Sequence, residues 1–179
     1  MLHGLWLTLR LSIVTTLVLG TAGCGYHLVG TTSNLPPELQ SLHVSTFENQ
    51  TRRADMDQRL TEAVIQEWVR RRRFQLSDSA KGVDLVLRGV ITSVHVAPVT
   101  YDQSGRATDY QMTLSAMVQL EDVRGKEPVV LWQDRAFSRR TSYQVDVSAL
   151  NYFDRQTEAM DEVAQEFARA LVTAVLEGF

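Results

Sequence analysis

Cys24 is the residue of this 179-residue chain whose chemistry and setting are most specific. It is the single cysteine of the chain, and it follows two small residues, Ala22 and Gly23, at the end of an apolar run. Small residues at these positions give a signal peptidase access to the bond before the cysteine. The pattern therefore predicts a lipobox, in which cleavage leaves Cys24 as the first residue and its sulfur carries lipid. Thr21 stands where an aliphatic residue is usual, which bears on the efficiency of that processing.

The segment before Cys24 has the composition of a secretory signal peptide. Its strongly apolar core runs from Leu11 to Leu19, whereas a membrane-spanning helix needs about 20 apolar residues. The alternative, an uncleaved anchor helix, is disfavoured by this short length. We therefore predict a cleaved signal peptide at residues 1–23, a lipidated N-terminus and linker at residues 24–37, and a single domain at residues 38–179.

The residue after the cysteine indicates where such a lipoprotein would reside. In the bacterial sorting pattern, Asp at this position favours retention in the inner membrane, whereas Gly, present here as Gly25, permits transfer to the outer membrane. A diacylglycerol, often with a further acyl chain, anchors far more stably than one chain does. We expect a protein anchored to the inner leaflet of the outer membrane, facing the periplasm.

The net charge argues against a nucleic-acid-binding protein, and the absence of catalytic motifs argues against an enzyme. Removal of Arg10 with the signal peptide leaves 17 basic and 21 acidic residues, a net charge of −4, which is not the signature of a nucleic-acid-binding protein. His3 is lost with the signal peptide, and His27, His43 and His95 lack metal-ligand spacing such as HExxH. No GxSxG nucleophile elbow is present. We predict no enzymatic activity, no metal, and no cofactor apart from the covalent lipid.

Two stretches have the apolar period of amphipathic helices. The first begins at Asp55, with Gln58 three residues later as in a capping box, and ends in the run Arg70-Arg71-Arg72-Arg73. The second runs from about Phe153 to Leu176, with Gly178 just past its end. The apolar stripes are Met56, Leu60, Ala63, Val64 and Trp68 in the first helix, and Met160, Val163, Phe167, Ala170, Leu171 and Ala174 in the second.

Four stretches have the composition of β-strands. The first covers residues 42–47, and the second, residues 83–96, is expected to end at Pro98. Residues 110–120 alternate between apolar and polar side chains, which predicts one buried face and one polar face. The last strand begins at Val129 and runs towards Thr141. The short connections between the last three strands make antiparallel pairing the expected arrangement.

These elements predict a single α+β domain with the order β-α-β-β-β-α. Each amphipathic helix needs to bury its apolar stripe, and the sheet offers one apolar face for both helices. We therefore predict two amphipathic helices packed on one face of a mainly antiparallel four-stranded sheet.

Eight short motifs lie along nearly the whole mature sequence. They are Cys24-Gly25-Tyr26-His27-Leu28-Val29-Gly30, Leu35-Pro36, Phe47-x-Asn49-Gln50-Thr51, Asp84-x-Val86-Leu87-x-Gly89-Val90-Ile91, Tyr101-Asp102, Tyr110, Leu131-Trp132 and Arg140-Thr141-Ser142-Tyr143. Each motif is weak alone, but their order and spacing together are fairly specific. In these motifs the chain resembles the LPS-assembly lipoprotein family.

This resemblance implies a small outer-membrane lipoprotein that is the partner of a large β-barrel translocon, LptD. Such a protein would lie largely inside the barrel lumen as a plug, bind lipopolysaccharide, help to deliver it to the outer leaflet, and assist assembly of the barrel. The fold of the family, two helices on a four-stranded sheet, agrees with the elements above. The alternative is another lipid-anchored periplasmic scaffold or binding module of an envelope complex, or a hydrolase.

Arginine is the residue type expected to bind lipopolysaccharide. Of the 18 Lys and Arg residues only Lys81 and Lys126 are lysines, and a guanidinium can hold a phosphate or carboxylate with paired hydrogen bonds. The alternative is that a basic helix end is solvated and compensates the helix dipole, and that the high arginine content reflects base composition. The candidates are Arg70, Arg71, Arg72, Arg73, Arg135, Arg139 and Arg140.

Polar side chains of the third strand and of the turn before it are the candidate contacts with the barrel. The inside of such a barrel is polar, so a plug needs side chains that form hydrogen bonds. The alternative is that these side chains face water, as on other sheets with one polar face. The candidates are Ser104, Gln111, Thr113 and Ser115.

Overall fold

A computed structural model of the chain describes residues 35–145 and 152–177. The predictions for the signal peptide, Cys24 and Gly178 lie outside these residues. In the described part of the chain, no helix is both long and apolar enough to cross a membrane. The elements along the described residues are β1 (Ser41–Val44), β2 (Glu48–Asn49), α1 (Met56–Arg71), β3 (Gln75–Leu76), β4 (Leu85–Tyr101), β5 (Ala107–Asp122), β6 (Val129–Gln144) and α2 (Tyr152–Glu177).

The sheet formed by the described residues is mixed and has six strands. Its order is β3-β1-β4-β5-β6, with β2 also beside β4. The three long strands β4, β5 and β6 pair antiparallel, as predicted from their short connections. However, β1 pairs in parallel with β3 and β4, and β2 pairs in parallel with β4. The predicted four-stranded, mainly antiparallel sheet with the order β-α-β-β-β-α was therefore wrong, because strands of two residues carry no periodic signal in the sequence.

Both helices of the described chain pack on one face of this sheet and share a single hydrophobic core with it. Trp68 of α1 and Val163 and Phe167 of α2 are at most 1% exposed, so the predicted apolar stripes are confirmed. The strand β5 contributes every second residue to the same core: Met112, Leu114, Ala116, Val118 and Leu120 are each 0% exposed. An α+β domain with two amphipathic helices on one sheet face is therefore confirmed.

Gly89 of β4 marks a very close approach within this core. It stands opposite Val118 in the β4–β5 pairing and therefore points towards the helices. A Cβ atom at this position would overlap the ring of Phe47, which is itself 1% exposed. Only glycine leaves room for that ring.

The strand β4 continues through Pro98 to Tyr101, which corrects the prediction that this proline ends the strand. Within the described residues, β1 and β2 pair with β4 only as far as Ile91, so the later part of β4 is an edge of the sheet. A proline cannot donate a backbone hydrogen bond, but one side of an edge strand has no neighbour that would accept one.

The first helix begins and ends differently from the prediction. Asp55 is the N-cap residue, but its φ of 60° is left-handed and its side chain makes no capping hydrogen bond to any described residue. A capping side chain reaches the helix amides from extended backbone, so the predicted capping box with Gln58 does not form. At the other end the helix stops at Arg71, and Arg72 adopts a left-handed φ of 52°. The arginine run therefore spans the helix end.

A β-bulge interrupts β6, the edge strand beside β5. Phe137 pairs with Ala116 and Asp134 pairs with Val118, so β6 has one residue more than β5 across this interval. The Ala136 backbone N–H donates a hydrogen bond of 2.8 Å to the Asp134 carboxylate. The bulge bends the strand and directs this N–H to a side chain of its own strand.

Candidate functional site

The face of the sheet opposite the helices carries polar side chains across the three long strands. On β5, Gln111, Thr113 and Ser115 are half-buried and alternate with the fully buried Met112 and Leu114. Residues that pair directly across neighbouring strands lie on the same face. We call this surface the open face; it consists of Ser93 and His95 of β4, Gln111, Thr113 and Ser115 of β5, and Ser138, Arg140 and Ser142 of β6.

The three predicted partner-contact residues of β5 lie together on the open face. Gln111 stands opposite Ser142, Thr113 opposite Arg140, and Ser115 opposite Ser138. The face therefore presents hydroxyl, amide and guanidinium groups, which can donate and accept hydrogen bonds to a polar partner surface. Contact of these residues with a barrel stays a prediction.

Ser104 lies apart from the open face, at the tip of the β4–β5 hairpin. The carboxylate of Asp102 organises this tip by accepting hydrogen bonds from the backbone N–H groups of Ser104 at 2.7 Å and Arg106 at 3.0 Å. The bond from the Arg106 backbone is the main reason that the pKa of Asp102 lies below its ordinary value. The exposed Ser104 side chain is thus presented at the end of an ordered turn.

The three candidate arginines of β6 do not form one patch. Arg140 is exposed and lies on the open face opposite Thr113. Arg139 stands opposite Leu114 and therefore lies on the helix side, where its guanidinium sits 4.5 Å from the ring centre of Phe137. Arg135 lies in the bulge. Because side chains alternate along a strand, neighbouring arginines such as Arg139 and Arg140 face opposite ways.

The run Arg70 to Arg73 is also divided by its contacts. Arg71 donates to the buried Glu67 at 2.9 Å and to the Thr173 hydroxyl of α2 at 2.8 Å. Arg73 donates to the backbone oxygens of Leu39 at 3.0 Å and Pro36 at 3.2 Å. Arg70 and Arg72 are exposed, and the Arg70 guanidinium lies 3.4 Å from the Glu67 carboxylate. Two members of the predicted ligand-binding run therefore hold the domain together.

An ion pair on the polar side of the sheet was missed by the sequence reasoning. Arg88 Nε lies 3.0 Å from Glu121 Oε2, and the Gln119 amide donates to Glu121 Oε1 at 2.7 Å. Glu121 is 8% exposed, and a carboxylate so buried needs such partners. The alternation of Gln119 and Glu121 along β5 puts both on the polar side, but only the register with β4 brings Arg88 beside them.

A cavity of about 760 Å³ lies between the start of β5, the end of β6 and the start of α2. Its charged lining consists of Asp109, Glu158 and Glu162, with Arg155 as the cation. Arg155 already donates to Glu158 at 3.1 Å. Three carboxylates around one paired guanidinium repel a phosphate, so this cavity does not fit the anionic ligand expected for the arginines.

Comparison with known proteins identifies relatives over most of the chain. The model of the family described as "LptE: Lipopolysaccharide-assembly" matches residues 39–175. The LPS-assembly lipoprotein LptE of Pectobacterium atrosepticum is 30% identical over 90% of this chain and 84% of its own length. That of Photorhabdus laumondii is also 30% identical, over 93% of this chain and 85% of its own.

A solved structure shows a similar fold. The hypothetical protein CT253 from Chlamydia trachomatis superposes with a TM-score of 0.54, covering 78% of this chain and 99% of its own. The sequences are 10% identical, so the likeness concerns the fold alone.

Proposed function

This chain belongs to the LptE family of lipopolysaccharide-assembly lipoproteins, and we propose that it is a non-catalytic, lipid-anchored subunit of the outer-membrane lipopolysaccharide translocon. In this role it plugs the β-barrel LptD, helps to assemble it, and binds lipopolysaccharide on the way to the outer leaflet. The match of residues 39–175 to the family model carries the proposal.

The anchor in this proposal is lipid on the sulfur of Cys24. The small residues Ala22 and Gly23 before the cysteine support cleavage, and Gly25 after it supports transfer to the outer membrane. Mass spectrometry of the processed protein should show an N-terminal cysteine carrying a diacylglycerol, and a Cys24→Ser variant should lose the added mass. An unmodified thiol in the wild-type protein would reject the anchor.

The contact with the barrel is assigned to the open face. Its serine and threonine hydroxyls, the Gln111 amide and the Arg140 guanidinium suit the polar lumen of a barrel, which needs hydrogen-bonding side chains rather than apolar ones. The buried core lies on the other side of the sheet and is already covered by the two helices of the described chain. The open face is therefore the part of the sheet that is available to a partner.

Site-specific photocrosslinking in cells tests this assignment. A photoreactive residue at Gln111, Thr113 or Ser115 should give adducts with a very large outer-membrane β-barrel. The matched control is Gln165, which is exposed on α2 and lies on the helix side of the molecule. Equal yields from Thr113 and Gln165 would reject the open face as the contact, and adducts with a different envelope protein would favour the alternative scaffold role.

Lipopolysaccharide binding is assigned to Arg140 on the open face and to Arg135, which lies earlier along the same strand in the bulge. Both side chains are exposed, whereas Arg71 and Arg73 are occupied by contacts within the domain. An arginine on the face that meets the barrel would bring its guanidinium to the phosphates of a lipopolysaccharide molecule passing between the two proteins.

A further inference from the structure

Residues 93–98 of β4, which we call the edge segment, form a regular piece of strand with a neighbour on one side. They pair with β5 without interruption from Ser93 to Pro98, and the register shifts just before and just after this interval. On the other side the described residues provide no partner strand, because β1 and β2 pair with β4 only as far as Ile91. The sheet of the described chain can therefore still be extended at this edge.

The direction of the backbone groups in the edge segment follows from contacts on both sides of β5. The Ser115 carbonyl oxygen accepts a hydrogen bond of 3.1 Å from the Thr92 hydroxyl, so it points towards β4. The Thr108 carbonyl oxygen accepts from the Val145 N–H at 2.8 Å, on the β6 side. Since main-chain groups alternate along a strand, the odd-numbered residues of β5 bond to β4 and the even-numbered ones to β6. Where β4 stands opposite an even-numbered residue, its own N–H and C=O groups point away from β5.

Val94 and Val96 therefore direct their N–H and C=O groups out of the sheet edge. They stand opposite Leu114 and Met112, which are even-numbered residues of β5. Pro98 is the next residue with this orientation and has a carbonyl group but no N–H. Together the three residues present two donors and three acceptors in a row. A second extended backbone carries donors and acceptors at the same spacing, so the edge segment is suited to bind a strand.

The side chains of this edge carry no formal charge, which distinguishes it from β6 at the other edge. Residues 92–101 contain no Lys, Arg, Asp or Glu, whereas β6 carries Asp134, Arg135, Arg139 and Arg140. Exposed edges are commonly blocked by charged side chains. Pro98 and the two register shifts limit the length of the edge segment, but they leave the backbone groups between them accessible. This absence of charge favours an edge that a partner strand covers.

The two sides of the edge segment determine which side chains an added strand needs. Val94 and Val96 are half-buried and pack against the core, so alternate side chains of the added strand meet apolar surface on the helix side. Ser93 and His95 lie on the open face, so the side chains between those meet polar groups. The partner that fits is an extended segment of about six residues in which apolar and polar side chains alternate.

We propose that the edge segment binds an extended segment of the barrel LptD, which adds a strand to the sheet beside β4. This rests on the proposed function, in which LptD covers the open face. Ser93 and His95 belong both to the open face and to the edge segment, so a partner that covers the first is already beside the second. The wall strands of a closed barrel have neighbours on both sides, so the added strand comes from a loop or a terminal segment of LptD.

Amide hydrogen exchange tests the added strand directly. The isotope-labelled mature chain is exchanged alone and in its purified complex with LptD, and both samples are read by NMR after quenching and dissociation. Exchange at Val94 and Val96 should be at least about tenfold slower in the complex, because their N–H groups gain acceptors there. The His95 N–H points towards β5, so it is the internal control and should exchange slowly in both samples.

The same measurement distinguishes the other possible occupants of the edge. Equally fast exchange at Val94 and Val96 in the free protein and in the complex would reject the proposal. Slow exchange in the free protein at low concentration would assign the edge to residues 24–34 of the same chain. Slow exchange that appears only as the concentration of the free protein rises would assign it to a second copy. Either assignment would overturn the proposal.

A pair of variants separates backbone hydrogen bonding from side-chain packing. Val96→Pro removes one outward N–H and leaves the pairing with β5 in place, as the native Pro98 does two residues later. It should lower the yield of complex co-purified with LptD about tenfold, because a carbonyl of the added strand loses its donor. Val96→Thr is the matched control, which keeps the N–H and the branched shape and should retain the yield. Equal yields from the two folded variants would reject the added strand, and if Val96→Pro does not fold, the exchange measurement decides alone.

The photocrosslinks at Thr113 separate this proposal from the proposed function. No adduct with LptD at Thr113 and no co-purified complex would reject the function and the added strand together. Adducts at Thr113 without slower exchange at Val94 and Val96 would reject the added strand alone.

Discussion

The two faces of the long β-sheet are built from the same strands, yet they differ in almost every physical property. Along β5, Met112 and Leu114 are fully buried under the helices, whereas Thr113 between them and Ser115 after them belong to the open face. One face is completed by the chain itself, with close packing and little tolerance of change. The other keeps hydrogen-bonding groups directed outwards, which suits a surface that a second protein completes.

The largest difference in stability between substitutions on the two faces is expected from two neighbouring residues on β5. Leu114→Ala removes a fully buried side chain and leaves a cavity, which should lower the free energy of unfolding by about 3 kcal/mol. Ser115→Ala, one residue further on the open face, should change it by less than about 0.5 kcal/mol. Urea unfolding of the two variants measures both values. Similar losses would mean that the two faces are equally packed.

Gly89 of β4 allows a test of how closely side chains pack on the face of the sheet that the helices cover. Gly89→Ala adds a methyl group where the Phe47 ring lies, and overpacking of this kind should cost about 2 kcal/mol. Adding Phe47→Leu should recover part of that loss, because the smaller side chain makes room for the methyl group. Thermal unfolding of the single and double variants decides the point. A Gly89→Ala variant as stable as the wild type would show that the Phe47 ring can move aside without cost.

Residues 35–40 belong to the core on the helix side of the sheet, and their contribution to stability should depend on pH through Asp84. Hydrogen bonds from the Gln40 and Ser41 backbone hold the pKa of Asp84 below its ordinary value. The ionised carboxylate is therefore bound better in the folded state, so its contribution is complete above about pH 4 and is lost as pH falls through the lowered pKa.

Asp84→Asn should remove about 1 kcal/mol at pH 7, because the amide is a weaker acceptor for two backbone N–H groups. Denaturant midpoints of both proteins measured from pH 7 to pH 2 should converge at the acid end. A constant difference across that range would contradict the assignment to the carboxylate charge.

The smallest effect on stability is expected on the open face, where an effect on binding should appear instead. Arg140→Glu should change the free energy of unfolding by less than about 0.5 kcal/mol. It should weaken binding of purified lipopolysaccharide about tenfold, and the wild-type affinity should fall as salt rises.

Arg139→Glu is the matched control because this residue lies on the helix side over Phe137. It should leave the affinity near the wild-type value and cost only the weak contact with the ring. Equal loss of affinity in the two variants, or no loss in either, would reject Arg140 as the ligand contact.

Sequence reasoning predicted the elements whose patterns are long. The helical stripe that contains Trp68, the one that contains Phe167, and the alternation along β5 are all present, because burial of one face imposes a regular period over many residues. The parallel strands at Glu48–Asn49 and Gln75–Leu76 were missed, since their pairing with distant chain leaves no local signal. Pro98 was misread because its effect depends on whether its strand is at an edge.

The candidate site was only partly predictable for the same reason. Gln111, Thr113 and Ser115 were grouped correctly on one face because they share the parity of a single strand. Arg139 and Arg140 were both named as ligand candidates, although the same parity rule puts them on opposite faces of the sheet. The hydrogen bonds from Arg73 to the backbone of Pro36 and Leu39, and the Arg88–Glu121 pair, join residues far apart in sequence, so only the folded structure reveals them.

The bulge at Arg135 and Ala136 has a consequence for the chain before it meets any partner. A long, regular edge strand invites a second copy of the same protein to add a strand to the sheet, and such additions can grow into aggregates. Because the Ala136 N–H is bonded to Asp134 and the strand is kinked between charged residues, a copy cannot align along the whole of β6. The irregularity thus works as a guard against self-association.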